Sequence, residues 1–196
     1  MTAAIRTIDA GKHTIRVVRL AWDKEDPPTS VHGRAARRVR GTPPYDVQYN
    51  GDKQRRSDVY SAAAKWVSEL GAKSIGGPIL SGALIAEGIA AKSRRLQSFY
   101  IKKKAGLYRT FKHSDDNIRG VCRGNYVVVD DIVSSGDTME AALKNICRDN
   151  GDLEGLEAVL VMSGEFRVNA KSNPLLAGLI KEGKVFGLYC SKRRRS

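Results

Sequence analysis

Residues 126–129 read Tyr-Val-Val-Val, and Asp130 and Asp131 follow at once. This stretch constrains the fold more than any other. A strand with one wet face alternates apolar and polar residues, whereas an unbroken apolar run needs cover on both faces. Cover on both faces implies a sheet between two helical layers, the arrangement of parallel α/β proteins.

The segments on either side agree. Ser57 and Asp58 stand where a helix cap is expected, and Val59, Ala63, Trp66, Val67 and Leu70 follow at helical spacing, with Gly71 as a stop. Residues 73–80 read as a strand and 82–95 as a helix with Leu84, Ile85, Ile89 and Ala90 turned inward. Residues 97–102 are a strand, and 103–120 are a polar stretch without periodicity, a length typical of lids. The strand at 125–131 leads to a helix at 136–151 with Met139, Leu143 and Ile146 inward. A strand at 156–162, a helix near 173–182 and a strand at 184–189 complete the pattern. Such alternation predicts a parallel sheet with helices on both faces. Before it, residues 13–22 alternate as a strand, but "DKEDPPTS" and "GTPPYD" interrupt the chain. The expected organisation is a small N-terminal hood or cap lobe over 1–56 and an α/β core over 57–196.

With 196 residues, 41% of them apolar, the chain can build one core, and disorder is not expected. No apolar run approaches the ~18 residues of a membrane span. The first residues lack the apolar segment of a secretory signal. Cys122, Cys147 and Cys190 lie far apart and form no CxxC pair, so a cytoplasmic setting is expected, with neither a zinc site nor a disulfide framework. The net charge of +13 favours anionic partners, nucleic acid or phosphorylated small molecules. Much of it lies in 32–41, 93–104 and the tail 191–196, which read either as solvated surface or as anion contacts.

The end of the strand at 125–131 carries the chemistry. Gly136 permits tight backbone geometry, and the loop ends at a helix N-terminus, where amide N–H groups and the helix dipole favour an anion. Ser134, Ser135 and Thr138 add hydroxyls, so the loop suits one phosphate. Neither a Walker A spacing nor a GxGxxG fingerprint is present. Asp130 and Asp131 would repel a phosphate but would accept hydrogen bonds from a sugar diol, and they would attract magnesium held by other phosphates of the ligand.

"VVVDDIVSSGDTM" resembles the phosphoribosyl-pyrophosphate (PRPP) motif of type I phosphoribosyltransferases. The likeness extends over roughly Lys73 to Ile146: "GGPILSGALIAEGIA" is similar to the family's strand, pyrophosphate loop and helix, and "SFYIKKKAGLYRTFKH" to the stretch that carries an Arg-Lys pair and a mobile catalytic loop in orotate-type members. The resemblance implies the family's α/β core and transfer of the 5-phosphoribosyl group of PRPP to a nucleobase, most like the orotate type, with release of pyrophosphate. It also implies Mg2+ dependence, a role in pyrimidine nucleotide synthesis and a homodimer. It assigns Asp130 and Asp131 to the ribose hydroxyls and, through water or PRPP, to the metal. Ser134, Ser135, Gly136, Asp137 and Thr138 would wrap the 5'-phosphate, and Ser81, Gly82 and Lys103 would meet the pyrophosphate. Lys102 and Lys103 fall where the Arg-Lys pair falls and would neutralise charge on the leaving group, while Lys104, Arg109, Lys112 and His113 are lid candidates.

Departures bear on the acceptor. Six-oxopurine members carry an acid where this chain has Ser134, and Asp137 replaces a common glycine. The Phe-x-Leu-x-Ser-Gly segment of orotate enzymes is missing before Ser57. The alternative reading is a PRPP-sensing regulator that contacts nucleic acid through 34–40 and 192–195, although no helix-turn-helix or RNA-reading aromatic motif is evident.

Overall fold

The structure, a computed structural model, describes residues 5–22, 30–33, 52–102, 118–120, 122, 124–131, 135–162 and 165–192. At its centre lie the strands β4 (Ser74–Pro78), β5 (Gln97–Ile101), β7 (Tyr126–Asp130), β8 (Leu156–Val161) and β10 (Val185–Lys192), parallel to one another in the order β5-β4-β7-β8-β10. The register sets Ser74 beside Tyr126 and Asp130 beside Val161. On one flank the short β6 (Ile118–Gly120) pairs antiparallel with β5. On the other, β2 (His13–Trp22) pairs antiparallel with β10, and β1 (Ile5–Ala10), β3 (Ser30–Gly33) and β9 (Glu165–Arg167) extend the sheet from it.

The unbroken apolar run of β7 has the expected cause. Val127 and Val129 pack with α1 (Lys53–Glu69) and α2 (Ser81–Ala90), while Tyr126 and Val128 pack with α3 (Asp137–Asn150) and α4 (Pro174–Glu182). Helices thus cover both faces, and each side chain buried there stabilises the fold by about 1.5–3 kcal/mol. Phe99 meets Tyr126 edge to face at 5.9 Å between centroids and fills the space left by Gly76.

Three expectations need correction. α1 starts at Lys53, capped by Asp52, whose carboxylate accepts from the Arg55 N–H at 2.9 Å. Ser57 and Asp58 therefore lie inside the helix, and the line drawn between residues 56 and 57 cuts it. The strand at 13–22 is present, but β2 lies within the sheet beside β10, so the described part of the N-terminal segment is continuous with the core layer. In α2, Leu84 is 43% exposed; the inward side chains are Ala83, Ile85, Ala86 and Ile89, and Leu84 falls on the opposite side of the helical turn. The rest of the proposed hood, residues 1–4, 23–29 and 34–51, lies outside the described residues.

Candidate functional site

The strand order places the site before any side chain is considered. From β4 the chain passes to β5 on one side, then returns to β7 on the other side of β4. Beyond the carboxyl ends of β4 and β7 the two connections diverge, and such switch points leave a crevice in which α/β sheets hold ligands. The loop after β4 enters α2 at Ser81 and Gly82; the loop after β7 begins at Asp131 and enters α3 at Asp137.

Two glycines bring these loops together. A side chain at Gly77 would strike the Val129 carbonyl and the Gly82 backbone. One at Gly82 would strike the same carbonyl and stand 3.1 Å from the Asp130 carboxylate. Glycine at both positions therefore lets the start of α2 pack directly on the end of β7. Asp130 is buried and its Oδ1 accepts the Asp131 N–H at 3.0 Å, while Asp131 is half-buried. The Ile79–Leu80 peptide bond between these glycines is cis.

On the β7 side, Gly136 is the N-cap of α3 with φ +89°, a conformation open to glycine at little cost. Gly136 has no side chain to cap this helix; the Ser135 Oγ accepts the Asp137 N–H at 3.4 Å and donates to the Asp137 carboxylate at 2.8 Å. Ser135 thus offers an anion its backbone rather than its hydroxyl in this arrangement. The second acid of the first turn, Glu140, is buried and faces away: it accepts the N–H groups of Leu176 at 3.0 Å and Leu175 at 3.4 Å, and Lys144 stands 3.3 Å from it. Its charge is matched to the positive N-terminus of α4.

Among the residues singled out from the sequence, Ser81, Gly82, Asp130, Asp131, Ser135, Gly136, Asp137 and Thr138 lie on these two loops and helix starts. Lys102 directly follows β5, the neighbour of β4, and its carbonyl accepts the Asn145 amide of α3 at 2.6 Å. Lys103, Lys104, Arg109, Lys112, His113 and Ser134 lie outside the described residues.

Sequence reading missed the polar side chains that brace the loop from behind. Asn145 holds the end of β5, and Asn173, 1% exposed, donates its amide to the Ser135 carbonyl at 3.1 Å. Asn before Pro174 signals a helix start, and Asn173 is indeed the N-cap of α4, yet its side chain makes no cap bond. That departure marks a second task for the side chain.

A cavity of about 600 Å3 is lined by Asp149, Asp152, Glu154 and Glu157 with Cys122, Asn150 and the turns before β7 and β8. It lies at the amino ends of those strands, and its acids would repel a polyphosphate. No helix among the described residues is long and apolar enough to cross a membrane.

No protein-family model matches the chain, and no curated protein matches it either. Several solved structures do. Orotate phosphoribosyltransferase of Mycobacterium tuberculosis in complex with Fe(III) dicitrate shares 19% identity over 53% of this chain and 59% of its own, with a TM-score of 0.40. The matched part thus spans less than two thirds of that protein. Orotate phosphoribosyltransferase from Aeropyrum pernix shares 18% identity over 71% of this chain and 76% of its own, with a TM-score of 0.43. A hypothetical protein from Neisseria gonorrhoeae with bound ppGpp shares 20% identity over 58% of this chain and 66% of its own, with a TM-score of 0.33.

Proposed function

We propose that this chain is a phosphoribosyltransferase that transfers the phosphoribosyl group of PRPP to a nucleobase, with orotate as the favoured acceptor. The observation that carries the reading is the approach of Gly82 to Asp130 at the β4/β7 switch point, with the Gly136 loop following the same strand. A ligand with a phosphate and a pyrophosphate joined through a ribose has the matching layout. Its 5'-phosphate would sit at the start of α3, its diol on Asp130 and Asp131, and its pyrophosphate at the start of α2.

The residues fit a metal that arrives with the substrate. No group of three metal-binding side chains occurs among the described residues, and Asp130 and Asp131 supply only two adjacent carboxylates. Magnesium is held by one or two carboxylates together with water and substrate phosphates, which suits that donor set. Bound there, it would supply positive charge to the pyrophosphate oxygens. The chain's own part is to hold the ribose through Asp130 and Asp131, to seat the phosphates on backbone N–H groups, and to place Lys102 beside the leaving group. Lys103 and the lid candidates Lys104, Arg109, Lys112 and His113 would add positive charge and exclude water. A homodimer in the cytoplasm, serving pyrimidine nucleotide synthesis, is part of the same proposal.

The test is pyrophosphate release from PRPP and magnesium with single bases. Release with orotate, and not with hypoxanthine, guanine, adenine or uracil, is the expected result. Release with another base would move the acceptor and keep the reaction. No release with any base, alongside tight and salt-sensitive binding of RNA or DNA, would overturn the enzyme and favour a PRPP-sensing regulator.

A further inference from the structure

Asn173 lies 38 positions from Ser135 and in a different element, yet its buried amide reaches the Ser135 carbonyl. Its environment leaves it little freedom. The Asn173 N–H donates to the Asn169 carbonyl at 2.9 Å, and its carbonyl accepts from Ala177 at 3.0 Å. The same side-chain nitrogen also donates to the Ser172 hydroxyl at 3.3 Å. From the other direction, Glu140 of α3 grips the N–H groups of Leu175 and Leu176. The start of α4 and the start of α3 are therefore tied twice, with the Ser135 carbonyl at one of the knots.

The consequence follows from the planarity of the peptide. In a trans peptide the C=O and the N–H of the next residue point in opposite directions. The Ser135–Gly136 peptide is trans. The bond that turns the Ser135 carbonyl inward to Asn173 thus turns the Gly136 N–H outward, toward the exposed side of the loop where Ser135 and Asp137 stand. Gly136 has packing behind it as well: a side chain there would meet Leu176 at 3.0 Å and Val168 at 3.3 Å. A glycine at φ +89° rotates easily, so without an anchor this peptide plane would be poorly determined.

We infer that Asn173 is a positioning residue that sets the Ser135–Gly136 peptide so that the Gly136 N–H faces the bound phosphate. This rests on the reading of the loop as a phosphate seat. Asn173 touches no ligand; it acts through the peptide it holds.

The experiment is titration of the 15N-labelled protein with inorganic phosphate, following the Gly136 amide. In the parent protein this amide should shift and saturate. In Asn173→Leu, which keeps the branched heavy-atom skeleton and removes the donor, the phosphate affinity should fall about tenfold and the Gly136 shift should disappear. Asn173→Asp, which cannot donate when ionised, should behave alike and decides the matter if the leucine variant does not fold. Ile180→Ala, which loosens α4 without touching the bond, should lose thermal stability and keep the parent affinity. No Gly136 response in the parent protein would overturn the phosphate seat itself. A parent response retained in both Asn173 variants would overturn only the positioning role, as would an equal loss of affinity in Ile180→Ala.

Discussion

The Nδ1 of His13 stands 2.8 Å from the Oδ2 of Asp58, and both side chains are buried. The same carboxylate accepts the Lys12 N–H at 3.0 Å and the Gln54 amide at 2.7 Å. Gly11, at φ +53°, leaves room for it, since a side chain there would overlap the carboxylate. One acid inside α1 thus fastens the β1–β2 hairpin to the helix. Removing one partner leaves the others buried and unmatched. Asp58→Ala should cost about 3 kcal/mol, read as a lowered midpoint in denaturant unfolding with an unchanged slope. A loss below about 0.5 kcal/mol would show that the network is dispensable.

Asp130 and Asp131 are expected to govern ligand binding. PRPP with magnesium should raise the melting temperature of the parent protein, because a ligand that binds only the folded state stabilises it. Asp130→Asn combined with Asp131→Asn should abolish that rise. An unchanged rise would place the sugar site elsewhere.

Gly82→Ala tests the contact between the two loops. Its methyl group would lie 2.5 Å from the Val129 carbonyl and 2.7 Å from Pro78, so the start of α2 must move away from β7. Overpacking of this kind costs about 1–3 kcal/mol. The variant should show that loss in thermal unfolding and a weaker PRPP response. Gly178→Ala, which meets nothing within 4 Å, should show neither.

The cysteines should be inert. Burial pushes the Cys122 thiol up to about 11, with Asp149 adding to the rise and the Asn150 hydrogen bond opposing it. Burial also raises Cys147 and Cys190. The thiolate is the reactive form, so at pH 8 on the order of one Cys122 in a thousand is poised to react. A thiol reagent at that pH should label Cys122 slowly in the native protein and fast in denaturant. Rapid native labelling of Cys122 would contradict the burial.

The central strands were legible because their constraint is local: Val127, Val128 and Val129 need cover on both faces wherever they sit. The place of the acids and of Gly136 between a strand and a helix was legible for a like reason, since these segments follow one another in the chain. β1, β3, β6 and β9 were not recognised as strands, because short antiparallel flanks carry little apolar pattern of their own. Ser57 and Asp58 looked like a cap because both residue types favour that place. Asp52 caps the helix through a local bond to the Arg55 N–H, whereas Asp58 serves as a buried acceptor for His13, which arrives from 45 positions away. Asn173 was hidden in the same manner, its partner chosen by the fold and not by spacing.

The pairing of β2 with β10 has a consequence in the order of synthesis. Arg16 and Ser191, hydrogen-bonded across these strands at 3.2 Å, are 175 positions apart. β2 leaves the ribosome early, with only β1 and β3 to pair with, and a few strands without a core are marginal in water. β8 likewise lacks its outer neighbour until residues 185–192 arrive. From the completion of β8 until residues 185–192 emerge, the nascent chain therefore carries two unpaired strand edges, and a ribosome stalled before Val185 leaves both exposed to other chains.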